Sequence, residues 1–380
     1  MDFDWTEDAS LLRRAAEEFG AAELTAGVAH RDREGLFSRE SWEACARFGL
    51  QGLIAPSEWG GGGHDLLTAV AVLEGIGRGA RDNGLVFSVA AHAASCVGPV
   101  ADHGTDAQKQ RWLPMLTDGS AIGAAGITEP GSGSSALALA ATARPDGDGW
   151  ILNGSKTFVT NAPVADVFVL YVRTAPGFAG ITCFLVPRDT PGLTVSAPIE
   201  KMGLRTSPMA QVYLEGCRVS DDARLGGLGS GALVFNQAMD VERLLVMAPA
   251  VGVMERLVER CTAHARERKA GGVAIGMHQA VTHRIADMEL ALESARLLLY
   301  RAAWQRARRG TATRESALAK LAVSEAYVAA CRSAMQIFGG YGYTVEYEIE
   351  RELRDALSAT LYVGTSEIQR NLIAGLRGLG

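Results

Sequence analysis

What this 380-residue chain lacks narrows its chemistry first. Six cysteines stand at 45, 96, 183, 217, 261 and 331, and none forms a C-x-x-C pair. Such spacing indicates neither a zinc site nor a dithiol redox centre, and scattered thiols suit a reducing cytoplasm. The seven histidines form no ligand pattern, since His278 and His283 are five apart and miss the shared helix face of H-E-x-x-H. No metal site is expected. No G-x-S-x-G elbow exists, which makes serine hydrolysis a poor candidate. No uninterrupted apolar run of about 20 residues occurs, so no membrane span is expected. The opening Met1-Asp2-Phe3-Asp4-Trp5 is acidic and lacks the basic start and apolar run of a signal peptide. A net charge of -6 argues against nucleic acid as the main partner. The basic clusters Arg266 to Lys269 and Arg306 to Arg309 are short and read as solvated helix faces.

What is present is an ordinary globular balance, 48% hydrophobic and 21% charged, in a chain too long for one simple core. Residues 1–118 read as helices, with Leu11, Ala15, Phe19 and Ala22 at helical spacing. Further helical segments run from Ser38 to Phe48, Leu66 to Ile76 and Ala107 to Leu116. Residues 119–227 carry short β-branched runs: Val167 to Val172, Ile181 to Val186, Leu193 to Val195 and Gln211 to Leu214. Asn153-Gly154, between Trp150 to Leu152 and Ser155 to Thr160, predicts a tight hairpin turn. Residues 228–380 return to the helical period. Val281, Ile285, Met288, Leu292, Ala295 and Leu299 mark one buried stripe, and a helical bundle is expected. The predicted fold is therefore mainly α with a central β domain: N-terminal helices, a β-barrel or sandwich, then a bundle.

Four segments could carry chemistry. Ile127 to Ser135, rich in glycine and hydroxyls, is either an anion-binding loop or a plain surface loop. Gly131-x-Gly133-x-x-Ala136 fits a dinucleotide fingerprint only loosely, because no strand–turn–helix unit frames it. Met239-Asp240-Val241-Glu242-Arg243-Leu244 places Asp240 and Arg243 on one helix face. Glu242, among apolar neighbours, is either a half-buried general base or an exposed glutamate beside an arginine. Gln336 to Gly342 reads as a helix end. Val363 to Arg370 reads as a helix start capped by Thr365 or Ser366.

In these segments the chain resembles the acyl-CoA dehydrogenase family. The resemblance spans nearly the whole chain. It rests on Thr128-Glu129-Pro130-Gly131-Ser132-Gly133-Ser134, on Asn153-Gly154-x-Lys156 with Thr160-Asn161, and on Asp240-x-x-Arg243. Further along come Arg268 with Gln279 eleven later, Gln336-Ile337-Phe338-Gly339-Gly340, and Gly364-Thr365-Ser366-Glu367. The family's fold is a helical domain, a β-barrel and a four-helix bundle, and its cofactor is FAD. The resemblance implies that Ile127 and Thr128 line the flavin ring, and that Ser134 reaches the pyrophosphate or the substrate. It places Phe158, where the family usually has tryptophan, and Thr160 over the other face. Arg268, with Gln279, Gln336 and Gly340, would contact the FAD of a neighbouring subunit. Thr365 and Glu367 would touch the cofactor from the last helix. Asp240, Arg243 and Gly364 would meet the substrate, the first two along its pantetheine arm.

Two departures stand out. Gly271 replaces a common phenylalanine near the adenine. Val363 occupies the place where most members carry the catalytic base, immediately before Gly-Thr-Ser. A minority, of the isovaleryl-CoA dehydrogenase type, carry a glutamate immediately before the arginine of the earlier helix instead, and Glu242 stands there. The resemblance thus implies that Glu242 takes the substrate's α-proton while the Val363 backbone N–H helps hold the thioester carbonyl. Stretches such as Gly84-Leu85-Val86-Phe87, Asn161 to Asp166 and Ser294 to Leu299 resemble members acting on acyl or aminoacyl groups tethered to carrier proteins in specialised metabolism. By the same analogy the partners are an electron-transfer flavoprotein and three further copies, in a homotetramer built as a dimer of dimers. Three alternatives stay open: a plain acyl-CoA substrate, an oxidase or monooxygenase on the same fold, and an FAD-binding scaffold without chemistry.

Overall fold

The computed structural model describes residues 5–379; the reading made on Met1 to Asp4 lies outside the described residues. The N-terminal region holds α1 (Glu7–Glu23), α2 (Val28–Glu34), α3 (Arg39–Phe48), α4 (Leu66–Gly79) and α5 (Asn83–His92). One π-helical turn, Ala93–Val97, leads into α6 (Gly98–His103), and α7 (Asp106–Thr117) follows. Side-chain caps explain the starts: Thr6, Ser38, Asp65, Asp82 and Thr105 each accept a backbone N–H of the first turn. The continuous helix Asn83–His103 is long and apolar enough to cross a membrane by composition, but 78% of its apolar window is buried inside the protein. It is a core helix, apolar on all sides because it is covered on all sides.

Eight strands follow: β1 (Gly123–Gly126), β2 (Thr142–Asp146), β3 (Gly149–Thr160), β4 (Val167–Arg173), β5 (Ile181–Pro187), β6 (Leu193–Val195), β7 (Met209–Ser220) and β8 (Arg224–Leu225). They form one sheet in the order β6-β7-β3-β2-β4-β5-β8, with β1 parallel beside β4. The expected hairpin at Asn153-Gly154 is a correction. β3 runs straight through it, and the register with β7 slips between Leu152 and Gly154, which is a bulge. The tight turn lies earlier, at Gly147-Asp148, where Asp146 pairs with Gly149. Asn-Gly is permissive for positive φ, and a bulge uses that freedom as readily as a turn does; Gly154 has φ 137°.

β4 and β5 are buried on both faces, and their alternation divides two cores. Phe168, Leu170, Val172, Phe184 and Val186 pack within the sheet's own core. Val167, Val169, Tyr171, Ile181, Cys183 and Leu185 pack against Cys96, Val97, Val100 and Leu113 of the N-terminal helices and Val234 of the next helix. Period two is what lets one strand serve both.

The C-terminal region has α8 (Gly231–Leu245), α9 (Ala248–Glu267), a small hairpin of β9 (Lys269–Ala270) and β10 (Val273–Ala274), and α10 (Gln279–Arg309). It ends with α11 (Thr313–Phe338), α12 (Gly340–Tyr343), α13 (Ile349–Ala359) and α14 (Ser366–Gly375). The stripe read on α10 is there: Met288, Leu292, Ala295 and Leu299 are buried in the largest core, where α4, α9 and α11 also contribute. α4 approaches α9 so closely that a Cβ on Gly77 would lie 2.0 Å from the Pro249 carbonyl oxygen. Glu74, fully buried on α4, ties the layers by accepting from Arg13 (2.9 Å), Arg296 (3.1 Å) and the Tyr300 hydroxyl (2.8 Å). All six cysteines are free and buried.

Candidate active site

α8 packs between the π turn, β5 and α11. Its last turn carries Asp240, Glu242 and Arg243. Asp240 and Arg243 share a face as expected, with an Nη1–Oδ1 distance of 3.2 Å. Both are buried, and Asp240 is turned into the protein. It accepts from the Thr313 hydroxyl (2.9 Å) and the Ala312 amide (3.4 Å), and Ser316 Oγ lies 3.3 Å away. The carboxylate therefore caps the start of α11, where four backbone N–H groups lack helical partners. Both of its oxygens are engaged within the protein, whereas the Nε of Arg243 has no hydrogen-bond partner among the described residues.

Glu242 is half-buried. Burial pushes its carboxyl up to about 7, against the pull of the Ser95 hydroxyl and of the Arg243 charge. Ser95 lies in the π turn, a local widening often found where a helix serves a functional site. Behind Glu242, the buried Tyr171 phenol is held protonated by burial, and nearby Cys183 and Glu242 add to that effect. A carboxylate with few partners, near neutrality and beside dry walls, is suited to take a proton from a weak carbon acid.

The turn before α14 holds Val363 at φ 55°, a left-handed conformation that a β-branched residue rarely adopts. Among the described residues its N–H makes no hydrogen bond with the protein, while its carbonyl accepts from Gln369 Nε2 at 3.1 Å. Gly364 follows at φ 87°, and its carbonyl takes the same amide at 2.9 Å. Thr365 caps α14 by accepting from the Ile368 amide, as the sequence suggested. Glu367 is exposed in the first turn. A strained backbone with a free N–H is a ready donor for a carbonyl oxygen.

In the β domain, Ile127 and Thr128 follow β1 and are half-buried, and Ser134 is exposed on the loop beyond. Phe158 stands near the end of β3 at φ 55° with 60% of its surface exposed. Thr160 closes the strand. Asn161, at φ 66°, bonds the Ser88 carbonyl of α5 (3.0 Å), so this end of the sheet is pinned to the N-terminal helices.

The remaining expected residues gather elsewhere. Arg268 ends α9 and lies over the Tyr341 ring at 5.3 Å, next to Gly340. Gln279 opens α10, Gln336 lies in the last turn of α11, and all four are exposed. Gly271 is explained locally: with Gly272 it makes the β9–β10 turn at φ 60° and 86°, where a large side chain would be strained.

Three family models cover the chain in order: the acyl-CoA dehydrogenase N-terminal domain at residues 6–120, the middle domain at 124–217 and the C-terminal domain at 229–375. The chain belongs to the acyl-CoA dehydrogenase family. The L-prolyl-[peptidyl-carrier protein] dehydrogenase of Pseudomonas fluorescens is 40% identical over 98% of this chain and 99% of its own length. The solved prolyl acyl carrier protein oxidase AnaB is 42% identical with a TM-score of 0.97, over 99% of this chain and all of its own. The structure of PigA with FAD and proline is 35% identical with a TM-score of 0.98 over both full chains.

The residues present fit FAD. An exposed aromatic face at Phe158, open backbone at Gly131 and Gly133, the Arg268 guanidinium and the α14 N-terminus offer apolar, anion-binding and cationic surfaces. Sequence reasoning assigned no role to Glu129 and Lys156, although both lie in quoted motifs; opposite charges in two small-residue segments were the available signal. Ser95 gave no signal at all, because a π turn has no sequence signature as plain as a cap.

Proposed function

We propose that the protein removes the α- and β-hydrogens of an acyl or aminoacyl group held as a thioester on a carrier protein, with Glu242 as the base. Membership in the family makes it an FAD-dependent dehydrogenase of acyl thioesters. FAD, when bound, supplies the acceptor for the two electrons that leave with the β-hydrogen. Ile127, Thr128, Ser134, Phe158, Thr160, Thr365 and Glu367 would hold it, with Arg268, Gln279, Gln336 and Gly340 serving a neighbouring copy.

The carrying observation is the half-buried Glu242 carboxylate on α8, near neutrality, together with an aliphatic residue at 363. The Val363 N–H steadies the thioester oxygen as enolate-like charge grows, and Glu242 takes the α-proton.

The prolyl-carrier dehydrogenase and the prolyl acyl carrier protein oxidase favour a prolyl group on a carrier protein, and short-chain acyl-CoA dehydrogenases at 39% identity keep a free acyl-CoA as the alternative. Rates with prolyl-carrier, acyl-carrier and butyryl-CoA thioesters, read by mass spectrometry, test this. The prolyl-carrier thioester should turn over fastest, and a clear preference for butyryl-CoA would overturn the carrier assignment. An electron-transfer flavoprotein is the proposed acceptor; AnaB's name as an oxidase favours oxygen as the second reading, and hydrogen peroxide formed in step with product would establish it. A homotetramer is proposed because α10 exposes Leu290, Leu297 and Trp304 at seven-residue spacing, a stripe that a second copy would cover.

A further inference from the structure

Of the two β-domain segments proposed to face the flavin, residues 127–134 have little core of their own, whereas residues 156–161 are buried in the sheet except for the exposed Phe158 and the half-buried Thr160. The first continues as a loop of small residues that is mostly exposed from Gly131 to Ala138. One side chain holds its base. Glu129, 5% exposed, accepts from the Ala140 amide (2.6 Å) and the Ala141 amide (3.0 Å), which closes the loop on itself. Across from it, the fully buried Lys156 donates to Glu129 Oε1 at 2.6 Å and to the Ile127 carbonyl at 3.3 Å. The Thr157 amide adds a bond to the Thr128 carbonyl at 2.8 Å.

Lys156 stands at a special point of β3. It pairs with Val212, and the next pair is Val159 with Ala210, so one extra residue is bulged out between them. The bulge is what turns Phe158 outward at positive φ. The ion pair therefore joins the base of the loop to the base of the bulge. Taking both charges out of water offsets much of their attraction, so such a pair contributes more to fixing geometry than to stability.

We propose that Glu129 and Lys156 are positioning residues: their ion pair sets the separation between Ile127–Thr128 and Phe158–Thr160 and so shapes the flavin cleft without touching the cofactor. This rests on the reading that those segments hold FAD. Among the described residues, Lys156 faces Glu129 as its one charged neighbour, and Glu129 faces Lys156 and two amides. Burial holds the Lys156 ammonium down at about 8. Burial pushes the Glu129 carboxyl up, but Lys156 and the two amides outweigh it and hold the group below its usual range. Both are ionised at pH 7, and the clamp loosens as Lys156 loses its proton above about pH 8.

The test uses the full-length protein. FAD affinity is measured by flavin fluorescence quenching and the bound-flavin visible spectrum is recorded, from pH 6.5 to 9.5, for wild type, Lys156→Met, Glu129→Gln and Thr128→Ala, with folding checked by circular dichroism. Either clamp variant should weaken FAD binding at pH 7 by about ten-fold or more, as loss of a charged partner does. Both should alter the flavin spectrum. Wild-type affinity should fall as pH rises through about 8, and Lys156→Met should be flat across that range. Should Lys156→Met not fold, Glu129→Gln and the wild-type pH series decide. Folded Glu129→Gln with wild-type affinity and spectrum would overturn the clamp. Thr128→Ala separates the two failures: if its flavin spectrum also matches wild type, the segments do not hold FAD. If it shifts alone, only the clamp is wrong.

Discussion

Two places in this protein compete for one task, and they are built differently. On α8, Glu242 rides a rigid helix whose last turn is locked by the Asp240–Arg243 pair and the capped start of α11. Before α14, Val363 sits in a turn at positive φ, with its backbone N–H unspent and an aliphatic side chain. The helix offers a side chain held by packing; the turn offers a backbone group held by strain. On the proposed assignment, the base and the carbonyl donor are separable parts. A turn can lose the first and keep the second, because φ and ψ set the direction of an N–H whatever side chain follows.

The largest expected effect breaks that division outright. Glu242→Gln should lower turnover by about 10³-fold, within the usual range for a general base, while the purified protein stays yellow. Retention of full activity would remove the assignment. Adding Val363→Glu to that variant moves the carboxylate to the turn and should restore part of the lost rate. No recovery, with FAD still bound, would mean that the turn and the helix do not address the same atom.

A smaller effect concerns the tuning of the base. Glu242 must be ionised to accept a proton, so kcat/KM should climb as pH rises through about 7. Ser95 holds the carboxyl lower than burial alone would. Ser95→Ala should therefore move the acid limb to higher pH, by about half a unit, and Ser95→Thr should restore it. An unmoved limb would leave Ser95 with a packing role only.

The smallest effect is on stability. A carboxyl raised above its usual value is penalised when charged, so its cost is absent near pH 4 and complete above about pH 7. Glu242→Gln should stabilise the fold by about 1–3 kcal/mol at pH 8 and by little at pH 4, seen in denaturant melts at both. Equal stability at both pH values would mean that the folded carboxylate stays well hydrated.

Residue patterns alone gave the three-part order of helices, strands and helices, and the stripe on α10, because periods of 3.6 and two are local properties. The aliphatic residue at 363 and the glutamate at 242 pointed to a base only through the family resemblance, since by residue type alone Glu242 could equally be an exposed partner of Arg243. Only the folded chain decided the rest. Asn153-Gly154 became a bulge because β7 pairs along the whole of β3, and a dipeptide cannot report its partner strand. Asp240 turned inward because α11 begins beside it, 72 residues later. The Glu129–Lys156 pair spans 27 residues and draws its meaning from the bulge that follows Lys156. Burial and partnership arise from long-range packing, and these set the charge state of Glu242; its identity as glutamate did not.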